Sequence, residues 1–598
     1  MLRMKIRKSL TTILENSKNS DAIATVGGRK SPHLLFFVIV FLILTITVVF
    51  GRALGFSFVW DDIIVLNNSI ATIRGYTIFR GSGSLWGYYR PLISLFYMFD
   101  YSIWGRNPTG YHLTNLLLYL ATVISVSLVI YKVWNNERAA FIGGLCFVLL
   151  STHVESVAWI SGRTDIISGL FLFLSLLAFL EYIESERKIA LWLTAIFALF
   201  SMWGKETGVV YFVLIPILGW VKKYKIDFTS FLILLLPLIV YFILRMNVIE
   251  IFAVPSQNKF LEGTSQQGYR RVLIFLVKPT FWNILLQILK AIGFYLWRVV
   301  WPFKLRLFYY KTLPEILYCV FSAVYFVSLI ISFLKRNRPV FFALIWFLLT
   351  LAPSLILSVI YLSATPVADR YVFIPSFSVA FLWAYLYHTL GKKLWLKIAT
   401  VVFLLAHLYA TTNRLAHWKN NETLWEVTYK QSPTNPMAIY WYAKVCYETG
   451  RIDEAESILR KNIRNRFVIA PLKASSYALL AGIKFDKHQL DSTFFYADEA
   501  LSITPLAKAY FYKAVAFLEK YHLDSLPEWL DSAEVNIQKA MDSLPYNMAI
   551  RYAAAKIYLE KKDKNRAIEQ LNFIIENDPY SPYAKKAIFL MEKMEHSR

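Results

Sequence analysis

The chain has 598 residues, 57% of them hydrophobic and 17% aromatic, and a formal net charge of +24. Soluble domains hold only about 45–50% apolar residues, and here the excess lies before about residue 412, which excludes a wholly soluble protein. Lys and Arg fall in short clusters between apolar runs, the pattern of membrane topology and not of nucleic-acid binding. Three cysteines, Cys146, Cys319 and Cys446, exclude a disulfide framework.

Residues 1–32 form a basic tail holding Arg3, Lys5, Arg7, Lys8, Arg29 and Lys30. No small-residue cleavage site precedes the first apolar run, so that run is its own insertion signal, with the tail in the cytoplasm. The region 33–412 then contains apolar runs at about 34–52, 111–132, 139–152, 166–183, 189–203, 207–221, 229–245, 282–300, 315–334, 340–360, 371–390 and 395–412. Cations cluster at Lys132/Arg138, Arg187/Lys188, Lys222/Lys223/Lys225, Lys335/Arg336/Arg338 and Lys392/Lys393/Lys397, which the positive-inside rule places in the cytoplasm. Segments 53–110, 153–165, 204–206 and 361–370 then lie outside. The run 282–300 carries Lys290 and Arg298 and is expected to be re-entrant or interfacial. That leaves eleven full crossings and a C-terminal third outside.

Residues 413–435 read as a linker and 436–598 as a repeat domain. Pro436, Pro471, Pro505, Pro545 and Pro579 are separated by 35, 34, 40 and 34 residues. Proline at about 34-residue intervals between helical pairs is the tetratricopeptide signature. Small residues such as Gly450, Ala455, Ala533, Ala540, Ala555 and Ala567 sit where paired helices approach closely. An insertion falls near Leu523–Leu526, and 580–595 reads as a capping helix. The expected fold is therefore all-α: a polytopic bundle of about 11–12 transmembrane helices followed by a soluble α-solenoid.

The outer segments hold the candidate chemistry. Phe58-Val59-Trp60-Asp61-Asp62 follows the first span, and Asn67, Asn68, Tyr88-Tyr89-Arg90-Pro91, His112 and Asn115 follow it. The next segments add His153, Glu155, Arg163 and Asp165, then Lys205-Glu206, then Asp369-Arg370-Tyr371. Ionisable residues at membrane depth are costly unless they line a polar site. Carboxylates suit deprotonating a hydroxyl or holding Mg2+ or Mn2+ through Asp61 and Asp62, whereas no His/Cys cluster has the spacing of a Zn2+ site. Arg163, Lys205 and Arg370 suit a phosphate. The competing reading is buried structural pairs, such as Arg163 with Asp165 or Asp369 with Arg370.

Six stretches occur in order: Phe58–Asp62, Tyr89-Arg90-Pro91-Leu92, Tyr111–Asn115, His153–Val157 with Gly162–Asp165, Gly204–Gly208, and Asp369–Ser376. Together with the repeats, over roughly 34–595, they resemble the transmembrane and tetratricopeptide-repeat-containing protein O-mannosyltransferases, glycosyltransferases of the GT-C fold. The resemblance implies a polyprenyl-phosphate-linked sugar donor and an acceptor on the lumenal or periplasmic side. It implies Asp61 as base or acceptor-orienting group with Asp62 in support, and Arg163, Lys205 and Arg370 on the donor phosphate. His153 and Glu155 would shape the site together with Arg90, His112, Asp165, Glu206, Asp369 and Tyr371. The animal family's His-Pro pair before His153 is Leu150-Ser151 here, and the loop 246–280 is not distinctive. Short loops and few repeats resemble a bacterial relative, hence a multi-pass protein of the bacterial inner membrane, or of the endoplasmic reticulum membrane if eukaryotic, with site and repeats on the periplasmic or lumenal side. The expected function is transfer of a sugar to Ser or Thr of exported proteins, with the repeats presenting the acceptor polypeptide. Two alternatives stand beside it: a GT-C enzyme acting on a lipid or envelope polymer, and a non-catalytic scaffold.

Overall fold

The computed structural model describes residues 32–74, 89–248, 281–309, 315–360, 367–465 and 468–596. The basic tail before Pro32, Tyr88 and most of the loop 246–280 lie outside the described residues. Every regular element among the described residues is helical.

Among the described residues eight helices are long and apolar enough to cross a membrane, from Leu35–Gly55 to Leu394–Ala416. The pair Glu137–Leu149 and Ser151–Ala158, bent by 50° at its break, has the apolar length of a broken span or of a re-entrant loop. The remaining apolar runs make shorter helices, Lys188–Gly204, Glu206–Val221 and Phe377–Leu390. The bundle packs through small residues where helices cross. A Cβ at Gly143 would lie 2.3 Å from Ile130 Cδ1, and one at Gly144 would lie 2.1 Å from Ser127 Oγ. Glycine there lets backbones approach without a cavity.

Members of three of the expected cation clusters, Lys132, Lys222 and Arg338, lie at one end. Lys132 pairs with Glu181 and Glu184 at 2.7 Å, Lys222 donates to the Lys132 carbonyl and Arg338 to the Trp220 carbonyl. The helix Phe281–Val300 is continuous, and its charges are answered: Lys290 pairs with Glu315, and Arg298 lies over the Tyr309 ring. Contacts of Lys290 with Glu315, Ser322 with Leu289 and Trp297 with Phe321 pack it against the first half of Glu315–Leu334, and it is apolar and long enough to cross a membrane, not only to lie in the interface.

The C-terminal third forms four helical hairpins: 436–448 with 452–464, 470–486 with 490–503, 507–524 with 527–543, and 548–560 with 564–577. Pro582–His596 follows as a final helix. First helices of successive hairpins touch one another, so they line the inner curve of the solenoid. The longer 40-residue step is absorbed by lengthening helices, since Ala507–Asp524 and Pro527–Ser543 have 18 and 17 residues. The expected linker 413–435 is instead folded and packed. Trp418 is buried, Asn420 caps the helix Asn421–Gln431, and buried Trp425 stacks on Trp441 at 5.2 Å. Two buried indoles make this segment core rather than tether.

Candidate active site

The Phe58–Asp62 stretch is held in a conformation that separates its two carboxylates. Trp60 has φ +56°, a left-handed conformation that a bulky side chain adopts only when its surroundings enforce it. They do so through an N–H donated to Asn421 Oδ1 at 2.8 Å and a ring stacked on Trp159 at 4.8 Å. Asp62 then turns inward. Its Oδ2 accepts the Val59 N–H at 2.9 Å, and its Oδ1 accepts the Ser161 N–H at 2.8 Å and Oγ–H at 2.7 Å. Burial pushes its carboxyl up to about 7 against those hydrogen bonds. Asp62 is thus a bolt between two outer segments.

Asp61 faces the other way. Its Oδ1 is buried and makes no hydrogen bond of normal geometry among the described residues, and the same holds for the Trp159 indole N–H beside it. Burial raises the Asp61 carboxyl to about 6, opposed by the positive charge of Arg370. The Trp159 N–H still lies close enough to pull the Asp61 carboxyl down a little, and a buried carboxylate oxygen with so weak a partner is uncommon and marks either a waiting ligand or strain.

Around Asp61 the charged residues form one network. Arg370 pairs with Glu155, and its guanidinium lies over the Trp159 ring at 5.3 Å and the Tyr371 ring at 4.9 Å. Lys205 approaches the same Tyr371 ring at 5.3 Å and pairs with Asp165 at 2.5 Å. Asp369 accepts from Tyr309 at 2.5 Å and pairs with Arg414 at 2.8 Å, and Arg414 also lies 3.7 Å from Glu155. Second oxygens of Glu155 and Asp165 are buried without a hydrogen bond of normal geometry, whereas both Asp369 oxygens are engaged, by Tyr309 and Arg414. Two cations therefore converge on Tyr371, next to Glu155 and Asp165.

The other residues singled out in the sequence lie elsewhere. Arg163 is wholly enclosed, donating to Asp100 at 2.6 Å, Asn115 Oδ1 at 2.9 Å and the Tyr111 carbonyl at 3.1 Å. Its place beside Asp62 runs through Ser161 and Tyr97, whose ring it covers at 4.6 Å. His153 is a core histidine, bonded to Tyr119 at 3.0 Å and Ser376 at 2.7 Å and packed on Phe147 and Phe373. His112 is buried against Phe56 and close to the Ser57 backbone, with no ring-nitrogen hydrogen bond of normal geometry among the described residues. Arg90 and Arg245 share Glu206, at 2.7 and 3.6 Å. Neither Arg163 with Asp165 nor Asp369 with Arg370 is the pair that forms; Asp100, Lys205, Glu155 and Arg414 are the partners.

Asp100, Arg245 and Arg414 are site members that the sequence reading did not identify. Each is a lone charge in or at the end of an apolar stretch, and an isolated buried charge must find its opposite. Among the described residues no group of three or more His, Cys, Asp or Glu side chains is arranged to hold a metal ion. With both Asp62 oxygens engaged, only Asp61 of the pair is left to offer oxygens, a poor donor set for a resident divalent ion.

No family model matches the chain. Similar curated proteins include protein O-mannosyl-transferase tmtc2 of Xenopus laevis, 34% identical over 126 residues, or 20% of this chain and 15% of that protein. Protein O-mannosyl-transferase TMTC1 of Homo sapiens is 32% identical over 149 residues, 23% of this chain and 17% of that protein. The Drosophila melanogaster Tmtc1 is 29% identical over 174 residues, 27% and 20% respectively. The matches thus span a fifth or less of these relatives' length, and the resemblance carried by the six motifs is met by relatives of that name. A tetratricopeptide-repeat protein of Thermus thermophilus covers 32% of this chain with 96% of its own, at 19% identity and a TM-score of 0.23.

Proposed function

We propose that this chain is a membrane glycosyltransferase that moves a sugar from a polyprenyl-phosphate-linked donor to Ser or Thr hydroxyls of exported proteins. The observation that carries the reading is the buried Oδ1 of Asp61, without a hydrogen bond of normal geometry, beside Arg370, which shares the Tyr371 ring with Lys205. Asp61 takes the proton of the acceptor hydroxyl, and the hydroxyl oxygen attacks the anomeric carbon with inversion. The bond from that carbon to the donor phosphate breaks, and the lipid phosphate leaves. Arg370 and Lys205 stabilise the charge developing on it, which is where fixed cations accelerate most. Asp62 and Arg163 position the loop without touching the reacting atoms. Lys205 and Arg370, rather than Arg163, are assigned to the phosphate, because the Arg163 guanidinium is taken up by Asp100, Asn115 and Tyr111.

The reading of the site as periplasmic in a bacterial inner membrane is supported by its place at the end of the bundle opposite the Lys132–Lys222 cluster, which the positive-inside rule assigns to the cytoplasm. The repeats stand on that same side and present the acceptor polypeptide. Glycoproteomics of exported proteins from cells with the wild-type gene, a deletion and Asp61→Asn tests this. Loss of one glycan mass in both altered strains is expected and identifies the sugar. A protein glycan profile unchanged by deletion overturns the reading and directs attention to lipids and envelope polymers.

A further inference from the structure

The solenoid touches the membrane domain at both ends. Its first end meets the Asp61 stretch through Trp425, edge-on to Trp60 at 5.8 Å, and through the Lys419 carbonyl, which accepts the Ser57 N–H at 2.9 Å. Its far end, the turn before the final helix, lands on the same outer segment. Asp578 is 2% exposed; its Oδ1 accepts from Tyr101 at 3.1 Å and Arg106 Nε at 3.0 Å, while its Oδ2 pairs with Arg106 Nη2. Tyr580 packs edge-on to Tyr101 at 5.5 Å and covers Gly105, whose φ of +57° and 2.9 Å clearance to the Tyr580 ring exclude any side chain there. A buried aspartate held by an arginine fork and a tyrosine is a built joint rather than a chance touch.

The same Arg106 Nη2 donates to Asn67 Oδ1 at 2.6 Å. Asn67 lies on the helix Asp62–Arg74, which begins at the acid pair. That helix packs Leu66 and Ile70 on Tyr97 and Tyr101. Asp62 anchors its start through Ser161, and Asn67 anchors it more than a turn further on. Tyr101 is shared, lying under the helix and also donating to Asp578. The chain Asp578–Arg106–Asn67 therefore runs from the last repeat to the helix that aims Asp61.

We infer that the last repeat is a positioning element of the membrane site: Asp578, through Arg106 and Asn67, fixes the Asp62–Arg74 helix and hence the placement of Asp61. This rests on the proposed role of Asp61, but the joint itself can be tested separately. Two variants divide the possibilities. Asp578→Asn weakens the docking, whereas Asn67→Ala cuts the link to the helix and leaves the Arg106–Asp578 joint intact.

The full chain in lipid nanodiscs is compared by hydrogen exchange over 62–74 and by steady-state transfer from a synthetic polyprenyl-phosphate sugar to a short Ser/Thr peptide. Both variants are expected to speed exchange over 62–74 about tenfold, the mark of losing one local anchor. They are also expected to lower kcat about tenfold while the KM values of donor and peptide stay within twofold. The inference is overturned if Asn67→Ala leaves exchange over 62–74 and kcat at wild-type values, because docking then serves only to hold the repeats. A wild-type protein that transfers nothing would remove the functional reading, while the exchange measurement would still decide the joint.

Discussion

Replacing Arg414 by leucine probes the network behind Arg370 without touching Asp61. The Arg414 side chain is 7% exposed and lies 2.8 Å from Asp369 and 3.7 Å from Glu155, both fully buried. Removing it leaves Glu155 with Arg370, but leaves Asp369 with the Tyr309 hydroxyl as its main support. Breaking a buried pair from one side costs about 3–5 kcal/mol, because a charge remains uncompensated. Each 1.4 kcal/mol is tenfold in an equilibrium constant, so the unfolding equilibrium should rise by roughly two to three and a half powers of ten. The loss should also depend on pH. Burial already raises the Asp369 carboxyl, and Arg414 and Tyr309 pull it back down; without Arg414 it rises further. An acid raised in the folded state contributes stability at low pH that is lost as pH rises through its folded value. Unfolding of the purified protein in mixed micelles, followed by intrinsic fluorescence, should therefore show a larger deficit for Arg414→Leu at pH 8 than at pH 5. Arg414→Lys should recover part of it. A deficit below about 1 kcal/mol, or one equal at both pH values, would refute the account of this network.

Lys205→Met should raise the donor KM and lower kcat by about tenfold to a hundredfold while acceptor KM holds, read in steady-state transfer assays. Gly105→Ala forces a side chain at φ +57° against the Tyr580 ring 2.9 Å away; the far end of the solenoid should lift, exposing residues near 578–582 to limited proteolysis. In the solenoid, burial favours protonation of Glu456, but hydrogen bonds from Lys484, Lys487 and Arg460 hold its carboxyl down to about 2. A depressed acid contributes stability above its unfolded value that is lost as pH falls. Repeat-domain helicity should thus become easier to melt from about pH 4.5 toward 2, and Glu456→Gln should flatten that dependence.

Much of this was legible in the chain because it is dictated by local chemistry. The apolar runs announce helices that must satisfy their own backbones in lipid, and the prolines announce the hairpins. Asp61 and Asp62 stand out as acids next to a membrane span, but the way the fold turns their carboxylates apart did not, because it depends on Trp60 adopting a left-handed backbone against Trp159 and Asn421. Pairings were equally hidden. Arg163 lies two residues from Asp165 in the chain, yet it pairs with Asp100 from another helix. The segment 413–435 is polar enough to read as a tether, and only the burial of Trp418 and Trp425 shows that it is core. Arg106 and Asp578 are separated by 472 positions, a distance no pattern in the sequence bridges.

The most direct test of Asp61 is the pH dependence of kcat for the purified full chain in nanodiscs, with a synthetic polyprenyl-phosphate sugar and a Ser/Thr peptide, for wild type and Asp61→Asn. The base works when ionised, so wild-type kcat should climb as pH rises through about 6, where burial places the Asp61 carboxyl. Asp61→Asn should be slower by about a hundredfold to ten-thousandfold, with that rise gone and the fold intact. An Asp61→Asn protein that keeps both its rate and its rise with pH would contradict the assignment of Asp61 as the base.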